Sequence, residues 1–270
     1  DHRDLHLSLR RQRQMCIRDR LVLESFSDPD RLIKVAKETV KKKPIIGILL
    51  GVSEEEGRII GMHTGGKREE ERKKEEVCAK AGIIRVHGVL EALDAMKALT
   101  RLPLPKGNRV GMVTNTGGMS LAFMDICSKY GLTLPKFSEK LAERITKLLP
   151  PGIGYPYNPV DGTANISYDL MKGAFEEIIN SDEVDIVVAT AIRSFFVPYD
   201  HFERSWREGF ELAKEKGIPM LGVMMGDDLT FELVSKKLEM ANIPIYPTPE
   251  RGALALAHLY EYSLIKAGRS

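Results

Sequence analysis

The stretch Pro44–Gly66, PIIGILLGVSEEEGRIIGMHTGG, decides how this chain is read. Its first seven residues, Pro44–Leu50, are apolar without alternation. That pattern marks a strand covered on both faces, as in a parallel sheet. A Gly-Val-Ser turn ends the run at Gly51, and Gly61, Gly65 and Gly66 punctuate a loop that presents His63. Loops leaving the carboxyl ends of parallel strands are where such folds bind ligands. An imidazole there titrates near neutral pH and can act as a base or nucleophile, although a loop histidine taken alone is an ordinary surface residue.

Outward from this stretch, short apolar runs alternate with amphipathic helical stretches, the mark of a parallel α/β protein. Upstream lie a short strand, Leu21–Glu24, and a helix, Pro29–Lys42, with Asp28 as its N-cap and proline in its first turn. Downstream lie a highly charged helix, Glu69–Ala81, a strand, Gly82–Val86, and a helix, Leu90–Leu99. The run GKREEERKKEE after His63 reads as a solvated helix face with i,i+4 pairs. Three strands with a raw edge at Leu21–Glu24 make a poor buried sheet, so this domain reads as incomplete and the chain as truncated at its start. The linker Leu102–Gly107 follows, LPLPKG with two prolines.

A second unit then offers strands at Arg109–Asn115, Leu132–Phe137, Val184–Ile192, Pro219–Met225 and Pro244–Tyr246. Helices at Gly118–Tyr130, Glu139–Leu149, Ser167–Asn180, Phe202–Lys216, Leu229–Ala241 and Glu250–Lys266 separate or follow them. Such alternation predicts a doubly wound, flavodoxin-like domain with strand order 2-1-3-4-5. The Gly/Pro-rich insert Pro150–Asn165 is predicted to be non-helical, and a loop that long points to function.

Bulk composition narrows the partners. The chain has 270 residues with 43% hydrophobic and 29% charged, ordinary for a soluble protein of one large or two medium domains. The net charge of +2 comes from an Arg-rich start, without which the remainder is near neutral. Neither nucleic acid nor an anionic membrane is called for. No apolar run reaches the ~18–20 residues of a membrane span. Cys16, Cys78 and Cys127 are odd in number and widely spaced. They suggest neither a disulfide framework nor a zinc site, so no metal ligand is assigned and a cytoplasmic setting is expected. Residues 1–20 are read as a non-native or disordered tail: Ser8–Arg20, SLRRQRQMCIRDR, has no period, and its MCIRDR resembles translated sequencing adapter.

Three further features stand beside His63. VTNTGG, Val113–Gly118, is a strand, a tight turn and a helix start. Its glycines allow close approach of an anion to free N–H groups at the positive end of a helix dipole, or simply close strand packing. Glu24 sits at the end of an apolar strand, where a carboxylate needs a partner or solvent. YNPVDGTAN, Tyr157–Asn165, reads as turn chemistry from Asn-Pro and Asp-Gly.

Together these residues resemble the NDP-forming acyl-CoA synthetases, the family of ADP-forming acetate-CoA ligases and succinyl-CoA synthetase. Pro44–Val86 is similar to the domain in which a strand, a Gly-Val-Ser/Thr or Gly-Arg-Ser turn and a His-Thr-Gly or His-Ala-Gly loop follow one another. The family's phosphorylated histidine falls on His63. Its orienting glutamate falls on Glu24, with residues 25–42 before Lys43-Pro44. PKGNRV, TNTGG and NPVD resemble stretches of the family's next domain. The resemblance covers nearly all of Leu21–Gly268.

It implies two flavodoxin-like, succinyl-CoA synthetase-like parallel-sheet domains, the first incomplete: residues 21–101 and residues 107–268. It also implies the reaction acyl-CoA + Pi + ADP ⇌ carboxylate + CoA + ATP through a phosphohistidine. Glu24 would orient His63. Asn115, Thr116, Gly117 and Gly118 would bind phosphate facing it across a domain interface, and Gly61, Gly65 and Gly66 would hinge its loop. CoA, ADP/ATP and Mg belong to the complete enzyme, with no cofactor bound in this stretch alone. The implied partners are an ATP-grasp β subunit or fused domain, a missing N-terminal CoA-binding domain, acyl-CoA and phosphate. The alternative is a non-catalytic acyl-CoA-sensing or regulatory module of the same fold, as in the ligase-like part of some protein acetyltransferases.

Overall fold

The computed structural model describes residues 19–23, 26, 28–50, 71–164, 166–192, 198–226 and 228–269. The chain divides into two compact units: the described residues of Asp1–Met96 with Leu264–Ser270, and Lys97–Ser263.

The first unit holds a three-stranded parallel sheet of order β1-β2-β3, where β1 is Asp19–Leu23, β2 Ile45–Leu49 and β3 Ile84–Val86. β1 starts two residues before the expected Leu21, so Asp19 and Arg20, assigned above to the tail, pair with Ile45 and Ile46. Helix α1, Pro29–Val40, starts as expected: the Asp28 carboxylate accepts from the Arg31 N–H at 2.9 Å, and proline opens the first turn. Helix α2, Glu71–Ala81, ends at Gly82 (φ +70), whose conformation a side chain would strain. A methyl group there would also lie 3.2 Å from Val40 and from Ile265. Ala36, Val40, Ile45, Cys78, Ala81 and Ile83 form the core between these helices and the sheet. Helix α3, Val89–Arg101, follows β3.

The second unit is a five-stranded parallel sheet flanked by helices. Its elements are β4 (Val110–Thr114), α4 (Gly117–Lys129), α5 (Glu139–Thr146), β5 (Val160–Asp161), α6 (Tyr168–Ile179), β6 (Ile186–Ile192), α7 (Tyr199–Glu215), β7 (Met220–Met225), α8 (Asp228–Met240), β8 (Ile245–Tyr246) and α9 (Pro249–Lys266). The order β5-β4-β6-β7-β8 is the predicted 2-1-3-4-5. Helix ends differ from the predicted ones by a turn or less. The central strands are buried on both faces: Val110, Met112, Ile186, Val187, Val188 and Val223 are fully covered. The unit boundary falls within α3, not at the Leu102–Gly107 linker. Lys97, the first residue of the second unit, bonds Glu239 at 2.6 Å and the Ile245 carbonyl at 2.9 Å and lies over the Tyr246 ring.

The second strand of that order is not the expected one. Leu132–Phe137 contributes only a bridge, Thr133 opposite Arg109, and the strand position is taken by Val160–Asp161. Pro135 lacks the N–H a ladder needs, so pairing stops after the Thr133 carbonyl accepts from the Val110 N–H at 2.8 Å. The gap along β4 is closed by a side chain. Asn158 accepts from the Met112 N–H (3.0 Å) and donates to the carbonyls of Val110 (2.7 Å) and Pro135 (3.0 Å). The peptide Asn158–Pro159 is cis.

Candidate functional site

The carboxyl end of β4 carries the turn expected to bind phosphate. Thr114 is buried, and its hydroxyl donates to the Thr116 carbonyl (2.9 Å) while accepting from the Thr116 N–H (3.0 Å) and the Thr190 hydroxyl (2.7 Å). Asn115 is also buried, and its amide is engaged at both ends by the Ile192 backbone, at 2.9 Å each. Two of the four expected phosphate residues are therefore tied inward: Asn115 by its side chain and Thr116 by its backbone N–H. Asn115 locks the end of β4 to β6, and what remains for an anion is the helix start.

That start is open. The Thr116 hydroxyl makes no capping bond to α4, and the first N–H groups of a helix have no intrahelical acceptor. Among the described residues, a methyl group on Gly118 would meet no neighbouring element within 4 Å, and one on Gly117 would meet the Asp161 carboxylate at 3.5 Å. The turn thus keeps bare backbone at the positive end of a helix, the geometry that receives phosphate groups.

The sequence singled out YNPVDGTAN, with turn chemistry as the plain alternative, but gave Asp161 no role. Its carboxylate stands beside Gly117 and accepts from the N–H of Thr163, a non-glycine residue at φ +58. Asp161 is held in register by Tyr155, with which it exchanges backbone bonds of 2.9 and 3.0 Å, and by β4, where the Gly162 N–H reaches the Thr114 carbonyl. An acid at this place favours the helix dipole and competes with an incoming anion. The signals for it in the sequence were the length of the insert and the NPVD stretch that ends on it.

In the first unit, His63, Glu24, Gly61, Gly65 and Gly66 lie outside the described residues. The residue at which the chain enters residues 51–70 is described. The Leu50 N–H donates to the Leu23 carbonyl at 2.9 Å, and the Leu50 carbonyl accepts from the Lys74 ammonium at 2.5 Å. Lys74 has no exposed surface. The charged run is a solvated face at Arg72, Lys73 and Glu76, with Arg72 and Glu76 paired at 3.2 Å. Lys74 departs from that expectation because it shares the inner face of α2 with Cys78 and Ala81, at i, i+4 and i+7. That spacing was the available signal. Burial pushes the Cys78 thiol up to about 11, so it is no nucleophile.

A cavity of about 360 Å³ lies at the amino ends of the strands of the second unit, lined by Lys106, Arg109, Asp182, Asp185 and Lys216. It is on the wrong edge for the site above, and Arg109 is occupied by a forked pair of bonds to Asp185 at 2.9 and 3.0 Å.

The family model for the succinyl-CoA ligase like flavodoxin domain matches residues 19–99. Residues 19–99 are a succinyl-CoA ligase-like domain. Similarity continues past that domain. The α subunit of ADP-forming acetate–CoA ligase II of Pyrococcus furiosus is 32% identical over 253 residues, covering 93% of this chain and 53% of the relative. The α subunit of ligase I of the same organism is 32% identical over 248 residues, with 92% and 53% covered. Among solved structures, the dinucleotide-forming acetyl-coenzyme A synthetase 1 of Candidatus Korarchaeum cryptofilum, in complex with phosphate and ADP, superposes with a TM-score of 0.82 at 28% identity. It covers 93% of this chain and 54% of that one. The succinyl-CoA ligase-like domain and the unit after it are thus related to ADP-forming acyl-CoA synthetases, and the chain spans about half the length of the curated relatives it matches. Among the described residues no helix is long and apolar enough to cross a membrane.

Proposed function

We propose that this chain supplies the phosphoryl-transfer part of an ADP-forming acyl-CoA synthetase, with His63 as the residue that is phosphorylated. The observation that carries the reading is the open start of α4, where Gly117 and Gly118 bare the backbone in a unit related throughout to enzymes of this class.

In the proposed reaction, phosphate attacks the thioester of an acyl-CoA and releases CoA, leaving an acyl phosphate. The Nε2 lone pair of neutral His63 attacks the phosphorus; the bond to the acyl oxygen breaks and the carboxylate leaves. Glu24 accepts the Nδ1–H, which keeps the lone pair on Nε2 and stabilises the cationic ring that forms. The helix start contributes donors already oriented for a phosphate or phosphoryl group, so no reorganisation is needed when the charge arrives. Gly61, Gly65 and Gly66 give the His63 segment the backbone freedom to move. ADP/ATP and Mg²⁺ are assigned to an ATP-grasp β subunit or fused domain, and CoA to a separate CoA-binding domain. The setting proposed is the cytoplasm.

The test is labelling of the chain with [³²P]acetyl phosphate. An acid-labile, alkali-stable phosphoprotein is expected, abolished in His63→Ala and slowed about a hundredfold in Glu24→Gln. An unlabelled wild-type chain that still binds acyl-CoA would instead identify a sensor of the same fold.

A further inference from the structure

Lys74 has no part in that scheme, yet it is a fully buried ammonium group. Its neighbours on the inner face of α2, Cys78 and Ala81, are apolar and belong to the core of the first unit. A core position two turns before Ala81 would be filled with least penalty by an apolar side chain. An ammonium there gives up its hydration and recovers only what oxygen acceptors return.

One such acceptor is the Leu50 carbonyl. Leu50 is the first residue past β2, and the sheet holds it from one side only, through its N–H on Leu23. A carbonyl at the end of a strand has lost its ladder partner and must find another. Water could serve, but would leave the direction of the next peptide loosely set. A charge-assisted bond from a lysine is stronger than a neutral one, and the four-carbon stem reaches from the helix layer to the sheet. Leu50 is thereby fixed through both of its backbone groups, by two different elements.

We infer that Lys74 is a positioning residue: by clamping the Leu50 carbonyl it fixes the end of β2 from which the chain enters residues 51–70. Its consequence for phosphorylation rests on the function proposed above, whereas the clamp itself does not.

The test compares the full wild-type chain with Lys74→Met, which keeps the volume and removes the donor, and Lys74→Arg, which keeps the charge. Hydrogen exchange at the Leu50 amide should rise roughly tenfold in Lys74→Met, with α1 and β3 protected as before. Labelling by [³²P]acetyl phosphate should slow about tenfold at unchanged half-saturating concentration and unchanged final stoichiometry. Lys74→Arg should restore both to within about threefold of wild type. Unchanged exchange at Leu50 in Lys74→Met overturns the inference. So does a uniform loss of protection through the first unit in both variants, which would make Lys74 a strut of the core. A wild-type chain that takes no label defeats the proposed function, while the exchange comparison still decides the clamp.

Discussion

Asn158 does with one side chain what a stretch of strand does elsewhere, satisfying Val110, Met112 and Pro135 along an edge the backbone fails to cover. Removing it leaves buried backbone groups unpaired, each worth about 1–3 kcal/mol. Asn158→Ala is expected to destabilise the second unit by about 3 kcal/mol, read as a lower urea midpoint. At Gly118 the expectation is the reverse for stability. Open space around it and a helical position make Gly118→Ala neutral or stabilising by up to about 1 kcal/mol, while a methyl group shields the N–H groups. Its affinity for inorganic phosphate, followed by the amide shifts of residues 117–119, should fall about tenfold. Single residues were the least legible scale in the sequence. The TNTGG turn suggested either an anion site or close strand packing, but that Asn115 serves Ile192, or that Lys74 turns inward, depends on partners distant in the chain. Only Lys74 left a trace, through its spacing to Cys78 and Ala81.

Elements were read more reliably, because period and capping are local. The helices followed from their apolar spacing, and Asp28-Pro29 marked the start of α1. The failure was the second strand of the larger sheet. Leu132–Phe137 has strand-like composition, but Pro135 removes a donor where the ladder would continue, and two residues of the supposed loop, Val160–Asp161, fill the position. A two-residue strand carries no periodicity to detect, and its place is fixed by pairing. At this scale Gly82 offers a test. Its φ of +70 ends α2, and a methyl group would crowd Val40 and Ile265. Gly82→Ala is expected to destabilise the first unit by about 1–2 kcal/mol, seen by chemical denaturation followed through hydrogen exchange of α1 and β2.

For the molecule as a whole, the strand order of the second unit and the similarity to ADP-forming acetate–CoA ligase subunits agree with the sequence reading. Response to acid belongs to this scale as well. The Arg109 guanidinium bonded to Asp185 holds that carboxyl below its usual range, against the opposing effect of burial. A carboxyl lowered in the folded state contributes stability above its unfolded value of about 3.9 and loses it as pH falls through the lower folded value. Urea midpoints should therefore decline below about pH 4, and Asp185→Asn should remove that part of the decline. Cys127, whose thiol burial pushes up to about 12, and Cys78 should resist alkylation at neutral pH until the chain unfolds, as peptide mapping would show.

The neighbour of Asn158 also bears on how the protein ages. Conversion of the amide to an acid would set a carboxylate against the Val110 and Pro135 carbonyls and unzip the edge it now seals. Spontaneous deamidation proceeds through a cyclic imide, formed when the next backbone nitrogen attacks the side-chain carbonyl. At position 159 that nitrogen belongs to a proline ring and carries no hydrogen. The amide on which the sheet edge depends is thus chemically guarded by the residue beside it.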